Sequence, residues 1–349
     1  MRRAVWLACL ILLIGALFCW AQERVPVRRL KVIAVLTRDA EGRTFLNPVA
    51  VGIDPATYEV YVVDPGRWEI TVFSPDFFPR YSLGKGRGIF LPYGVAIDEE
   101  GRIYVCQAYT GKKPARLTVL NGAGIIEKEI IFKDMPFNGA DGFAPNSVAI
   151  GRRHIYVAGS GFEGVVVLDR EGHFVRVIRV RDHPAPELPR KWAQISDVYV
   201  DSRGRVYLLS AEMGRFYVFD SLGHFLFKGG KKGGGPGKLS RPRGIAADPE
   251  LGLILVVDYM RHTGLAYSYR EGHFLFEFGG RGWSPGWFNY PTDIAVDPAG
   301  RIYVADLFNH RVQVFVFGEE EGVFSPSPSF ITPLRPLEIP KKKPGKKPQ

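Results

Sequence analysis

The chain has 349 residues, 46% of them hydrophobic and 13% aromatic, enough to bury one large core. Its formal charge of +10 sits mostly at the two ends: Arg2 and Arg3 at the start, and Arg335, Lys341, Lys342, Lys343, Lys346 and Lys347 against Glu338 at the finish, leaving +3 between. That near-balance excludes a nucleic-acid reading drawn from bulk charge, and with Cys106 the one cysteine beyond the leader, an intramolecular disulfide is excluded too.

Met1-Arg-Arg is followed by an apolar run from Ala4 to Trp20, and Cys19-Trp-Ala21 offers a cleavage site. This predicts a secretory signal peptide over residues 1–21 and export to the periplasm or beyond, with no membrane span after cleavage. An uncleaved N-terminal anchor is the alternative, since the run approaches the roughly 17 residues that span a bilayer. Phe18 stands where a lipid-modified Cys19 needs a small residue.

Residues 25–322 read as one domain of short strands. Leu30-Lys-Val-Ile-Ala-Val-Leu36 is a lone first strand. After it, the ends of equivalent strands fall at Asp54, Asp98, Gly151, Asp201, Asp248 and Asp297, a repeat of 44 to 53 residues. In the fifth unit Gly244–Asp248, Ile254–Asp258, Leu265–Tyr269 and Phe274–Phe278 form four β-type runs, here named a to d. The a–b turns repeat Asp-x-x-Gly-Arg, at Asp98, Asp201 and Asp297, with Gly supplying the positive φ of a tight turn.

Such a repeat predicts an all-β fold, a six-bladed β-propeller of four-stranded antiparallel blades. The middle of strand a is small in five units (Gly52, Ala96, Ala149, Ala246, Ala295), as crowding near the axis requires, and Tyr199 breaks the pattern. The sixth unit has no fourth strand after Phe317, so the strand at 30–36 is expected to close the ring by pairing with blade 6. Residues 325–349, rich in Pro and Lys, are expected to be a disordered tail.

Strand direction places the d-to-a connections and b–c loops on one face and the tight turns on the other. The loop face is the expected binding face. Its Gly-rich connectors at Gly84–Gly88, Gly229–Gly235 and Gly279–Gly282 lack the Ser or Thr and the helix of a phosphate loop. They carry a basic rim, Lys85, Arg87, Lys231, Lys232, Arg241, Arg243 and Arg281. Trp68, Tyr109, Tyr259, Trp283, Trp287 and Phe308 add aromatic surface, and with Arg261 this is the composition of interaction hot spots.

His173, His224 and His273 recur in Gly-His-Phe turns and read as turn residues. His262 and His310 each follow a b-strand Asp by four residues on neighbouring blades, which makes them weak candidates for a shared metal. Asp197 and Asp293 open strand a in blades 4 and 6, near the channel mouth, where they could hold a cation or satisfy backbone donors. No catalytic set assembles from this sequence.

The segment Phe288–Phe315 resembles an NHL repeat, and the resemblance extends over Leu30–Phe317 as six repeats. It implies an interaction platform like the extracellular or periplasmic NHL proteins of bacteria; some NHL domains bind RNA and a minority are enzymes. In the peptidyl-amidoglycolate lyases of this family, zinc-binding histidines come partly from the residue after the Pro before strand a. The matching residues here are Val49, Tyr93, Asn146, Ser196, Arg243 and Thr292, none of them histidine, and only His310 resembles a remaining position.

The combined expectation is an exported, non-catalytic scaffold that holds a protein or peptide partner on its loop face. No cofactor is expected, and neither zinc nor calcium has a full ligand set in the sequence. The alternatives are a metal-dependent lyase or hydrolase at the channel mouth, and a binder of anionic polysaccharide or wall polymer through the basic tail. Nucleic acid is disfavoured.

Overall fold

The β-branched and aromatic runs are too short for anything but strands, and the computed structural model, which describes residues 29–318, folds them into six four-stranded antiparallel sheets. Blade 1 comprises Ala50–Ile53, Val60–Asp64, Glu69–Phe73 and Pro79–Leu83. Blade 2 comprises Pro92–Ile97, Ile103–Gln107, Arg116–Leu120 and Ile126–Ile131, and blade 3 Ala144–Ile150, His154–Ser160, Val165–Asp169 and Phe174–Ile178. Blade 4 comprises Asp197–Val200, Val206–Ser210, Arg215–Phe219 and Phe225–Gly229, and blade 5 Pro242–Asp248, Leu253–Asp258, Thr263–Ser268 and Phe274–Gly279. Blade 6 takes Pro291–Val296, Ile302–Asp306 and Arg311–Gly318 from the end of the domain, and Arg29–Leu36 from its start as the outermost strand. The ring is therefore closed as the spare N-terminal strand predicts. The signal peptide at 1–21 and the tail at 325–349 lie outside the described residues.

The core is divided among the seams. Each of six buried clusters joins two neighbouring blades; Val63, Ile70 and Leu83 of blade 1 meet Val95, Ile103 and Val105 of blade 2, for example. Leu36 of the closing strand meets Val60 and Val62 of blade 1 beside Val312 of blade 6, so the last seam is filled like the others. Strands b and c are buried on both faces and hence read as continuous apolar runs. Outer strands such as Ile126–Ile131 are mostly exposed.

The connectors also contribute to the core. Phe45, Ile89, Leu239 and Phe288, each three residues before the Pro ahead of strand a, are at most 1% exposed. Burying a side chain of this size is worth roughly 1.5–3 kcal/mol, so these connectors are anchored segments of the fold. Blades 3 and 4 lack that anchor. The connector into blade 3 buries Phe132 and Phe143 instead, and the one into blade 4 forms a two-stranded ribbon, Arg181–Asp182 with Lys191–Trp192, that sequence periodicity does not foretell. Three short 3-10 turns, Lys85–Arg87, Ala140–Gly142 and Leu307–Asn309, complete the set of described elements.

The a–b turns close on themselves. Asp98 Oδ1 accepts from the backbone N–H of Glu100 and Arg102, Arg102 Nε donates to Oδ2 at 2.8 Å, and the Tyr104 hydroxyl donates to the same oxygen. Asp297 repeats this with Ala299, Arg301 and Tyr303, and Asp201 repeats the backbone and tyrosine bonds with Arg203, Arg205 and Tyr207 while the Arg205 guanidinium turns to Tyr269 O. Gly101, Gly204 and Gly300 take φ near +80° at the same place in each turn.

Inner strands surround a central channel of about 530 Å³. Tyr199 is one of its lining residues and packs on Tyr207 with ring centroids 6.2 Å apart. The tyrosine packs against the seam clusters of blades 4–5 and 5–6, whereas the equivalent Ala149, Ala246 and Ala295 sit inside such clusters. No helix among the described residues is long and apolar enough to cross a membrane.

Candidate functional site

The loop face is built by b-strand carboxylates. Asp258, fully buried, accepts from the backbone N–H of Ser240 and Arg241 ahead of its own blade and of Met260 and Arg261 after it. Asp64 does the same for Leu46 and Asn47. Asp306 accepts from Asn289 N, Asn309 Nδ2, Arg311 Nε and Gln313 Nε2. In blade 2 Gln107 fills the role through Phe90 N. Each carboxylate pins a connector that is remote in sequence, and so fixes the shape of the face.

Blade 6 carries this furthest. The guanidinium of Arg311 donates to the carbonyls of Trp283, Ser284 and Trp287, Gln313 donates to Trp287 O and accepts from Gly286 N, and Asn309 donates to Gly282 O. The Gly282–Trp287 backbone is thereby held from one side. On the other side the Trp283 ring is 78% exposed and Trp287 is exposed beside it.

Next to this loop lies a cluster of tilted aromatic rings. Tyr259 and Tyr290 have ring centroids 4.6 Å apart, His262 lies 4.3 Å from Tyr290, and Phe308 meets Tyr290 edge-on at 5.2 Å. The Arg241 and Arg243 guanidiniums lie 6.0 and 5.6 Å from the Tyr259 ring. Burial, then the neighbouring Arg241 charge, lowers the pKa of Arg243, which lines the channel. Arg281 bears on His262, whose pKa is lowered first by burial and then by that charge.

Of the residues singled out in the sequence, Tyr259, Arg243, Arg281 and His262 come together here, with Trp283 and Trp287 on the blade 6 connector. Trp68 belongs to a separate group on blades 1 and 2, half-buried between Lys85, 4.7 Å over its ring, and Phe90. Tyr109 is exposed and Lys231 is exposed, each apart from that cluster. Arg261 is not an open contact residue. It makes a two-pronged ion pair with Glu277 at 2.8 and 2.9 Å and donates to Lys238 O, because Glu277 rises from the outer strand of its own blade directly opposite. Lys232 is likewise committed, to the carbonyls of Ala211 and Ser240.

The two histidines serve as ties between blades. His262 Nδ1 accepts from Tyr290 N at 3.0 Å, which requires the neutral ring, while His310 Nδ1 bonds to Leu46 O at 2.7 Å on blade 1. Each therefore retains only Nε2. Among the described residues the one trio of acidic, His or Cys groups close enough to share an ion is Asp39, Glu41 and Glu69, and the Arg43 guanidinium already bonds to all three.

Sequence reasoning underweighted the channel wall. Asp197 accepts from Ser147 Oγ at 2.6 Å, from Val198 N and from Ile245 N, and Asp293 from Val51 N and Ile294 N, so each carboxylate ties its blade to a neighbour. A Cβ on Gly244, between them, would lie 2.6 Å from Asp293 Cα and 2.9 Å from its Oδ1, which is why that position has none. Both carboxyls open only onto the narrow channel. Burial pushes Asp197 up to about 6 against its hydrogen bonds, and burial with repulsion from Asp197 raises Asp293. The Φ-x-x-Pro pattern of Phe45, Ile89, Leu239 and Phe288, where Φ is apolar, was a further legible signal, marking where each connector enters the core.

The ring of blades around a loop-lined channel defines the class, a six-bladed β-propeller. Residues 288–315 match the NHL repeat and residues 191–279 match the family described as 6-bladed beta-propeller, so the chain is a six-bladed propeller that carries an NHL repeat. No curated protein matches it. An auxiliary nutrient binding protein from Bacteroides ovatus ATCC 8483 is similar in fold, at 15% identity and a TM-score of 0.60 over 84% of this chain and 78% of that one. An auxiliary nutrient binding protein from Bacteroides thetaiotaomicron VPI-5482 gives 13% and 0.61 over 84% and 77%. The hydrazine synthase of Kuenenia stuttgartiensis gives 14% and 0.53 over 77% and 95%. At these identities the likeness is one of fold, and the fold serves both binding and catalysis.

Proposed function

We propose that this chain is an exported, non-catalytic binding scaffold that holds a protein or peptide partner on the loop face of blades 5 and 6. The observation that carries the reading is Trp283, an almost fully exposed indole on a backbone fixed by Arg311, Gln313 and Asn309. An apolar ring of this size costs solvation when left in water, and a pre-ordered loop reduces what binding must spend on entropy. Export rests on the leader at residues 1–21. The solved propellers described as auxiliary nutrient binding proteins lend support to a binding role.

The test is selection of a random dodecapeptide library on the immobilised wild-type chain, with counter-selection on the Trp283→Ala/Trp287→Ala double variant. Peptides that bind wild type and lose about tenfold or more in affinity for the variant, the effect of losing one aromatic anchor, are the expected result. An unchanged affinity sinks the assignment, provided both proteins melt at the same temperature.

A further inference from the structure

We propose that Arg241, Arg243 and Arg281 form a receiving site for an acidic peptide segment, one whose carboxylates lie beside an apolar side chain. This rests on the binding reading above and names the partner's chemistry.

Several other arginines on this face have charged partners. Arg261 is paired with Glu277, Arg311 with Asp306 and Arg215 with Asp182. Among the described residues the side chains of Arg241, Arg243 and Arg281 donate to no carboxylate and no carbonyl. They nevertheless gather around one feature. Arg241 and Arg243 approach the same Tyr259 ring, which packs at a tilt against Tyr290, which packs at a tilt against His262, and the Arg281 charge acts on that histidine.

Like charges brought together repel, and the nearest carboxylates, Asp258 and Asp306, offset them only through space, without a direct ion pair. Asp258 and Asp306 have their oxygens occupied by backbone and side-chain donors. Asp197 and Asp293 are turned to Ile245, Val198, Val51 and Ile294 on the channel wall. His262 accepts a hydrogen bond and stays neutral, so it adds no charge of its own. A guest carboxylate would supply the direct ion-pair partner that these arginines lack, and guanidinium forks bind carboxylates in two-pronged fashion.

The surroundings decide between classes of anion. Met260, Phe308 and Trp283 are about half to three-quarters exposed beside the arginines, at 50%, 47% and 78%. An apolar side chain adjacent to the acid would cover them. Nucleic-acid binding draws its strength from many phosphate contacts along a basic track, whereas here three guanidiniums form one cluster on a domain of nearly balanced charge.

The probe is a fluorescein-labelled hexapeptide, Asp-Leu-Glu-Trp-Asp-Leu, beside the same peptide with Asn and Gln for Asp and Glu, on the full chain. The expected result is binding of the acidic peptide that weakens as salt rises, with about tenfold or greater loss for its amide form and for the Arg241→Gln/Arg243→Gln/Arg281→Gln variant. The triple Arg→Lys variant should recover part of the affinity, which a merely structural role would not predict. Equal binding of acidic and amide peptides, or an unaffected triple Gln variant, overturns the acidic site and leaves the scaffold standing. A library selection that enriches nothing over the Trp283→Ala/Trp287→Ala variant overturns both. Displacement of the acidic peptide by a lower concentration of an oligouridine overturns the choice of a peptide in favour of nucleic acid.

Discussion

The two faces of the propeller use the same residue, aspartate, in opposite ways. On the turn face Asp98, Asp201 and Asp297 bond mainly to backbone and side chains within six residues of themselves, with one cross-blade donor each at Asp98 (Arg170) and Asp201 (Tyr269), and the adjoining Arg102 and Arg301 cancel the charge inside the turn. On the loop face Asp64, Asp258 and Asp306 reach connectors 17 or 18 residues away. The local device yields a face that repeats. The long-range device, with Gln107 standing in for aspartate in blade 2, holds four individually shaped connectors and leaves arginines over, and it is on that face that binding groups collect.

The largest effect should come from cutting a long-range staple. Asp306→Ala removes the acceptor of four donors and strips Arg311, itself nearly buried, of its counter-charge. Removing one partner of a buried pair costs about 3 to 5 kcal/mol. Denaturant unfolding should show a loss of that order, and the Trp283 loop should lose its hold, visible as increased mobility of the indole by fluorescence anisotropy. A loss below about 1 kcal/mol, the value of a single neutral hydrogen bond, would mean that Arg311 is held by the loop carbonyls alone.

The contrast also explains what was legible. The repeat, the blade count and the closing strand are written in local alternation and spacing, which sequence displays directly. The core of each turn cassette is equally visible because its backbone, arginine and tyrosine partners lie within six residues, as from Asp98 to Tyr104, whereas the cross-blade donors Arg170 to Asp98 and Tyr269 to Asp201 are not. The fate of Arg261 was not visible. Nothing in its neighbourhood in sequence foretells that Glu277, 16 residues on, faces it across the blade. Gly159, which stands where other blades carry Asp, reads as a weak repeat in sequence; in the structure a Cβ there would lie 2.3 Å from Ala144 O. His262 and His310 share a spacing, yet one accepts a hydrogen bond and the other bonds to a carbonyl, because different blades face them.

A smaller effect should separate the channel wall from both faces. Asp197 and Asp293 are carboxyls whose pKa is raised in the fold, to about 6 for Asp197 against an ordinary 3.8. A carboxyl raised on folding favours the folded state in its protonated form. Its contribution is complete below the ordinary value and disappears as pH rises through the folded value. Wild-type melting temperature should therefore carry a component that falls between about pH 4 and pH 6, and Asp197→Asn, which cannot ionise, should flatten it. Asp98 and Asp182, lowered by their arginine and backbone partners, act below this window and do not mask it. Parallel pH profiles for wild type and Asp197→Asn would show that the pair is ionised throughout and held by its five donors.

The smallest effect is expected at the outer rim of the turn face. Arg203 and Glu250 join blades 4 and 5 by an ion pair at 3.0 Å, with both side chains well exposed. Water screens such a pair, and ordering two long side chains opposes it, so exposed pairs contribute little. The neighbouring Asp201 accepts from Arg205 N, from the Tyr207 hydroxyl and from the Tyr269 hydroxyl of blade 5, all out of water. If the buried carboxylate is what joins these blades, Arg203→Ala leaves the denaturation midpoint where it is in both low and high salt. A midpoint shift that vanishes in high salt would instead place the join in the exposed pair, and the turn face would depend on surface charge in a way the loop face does not.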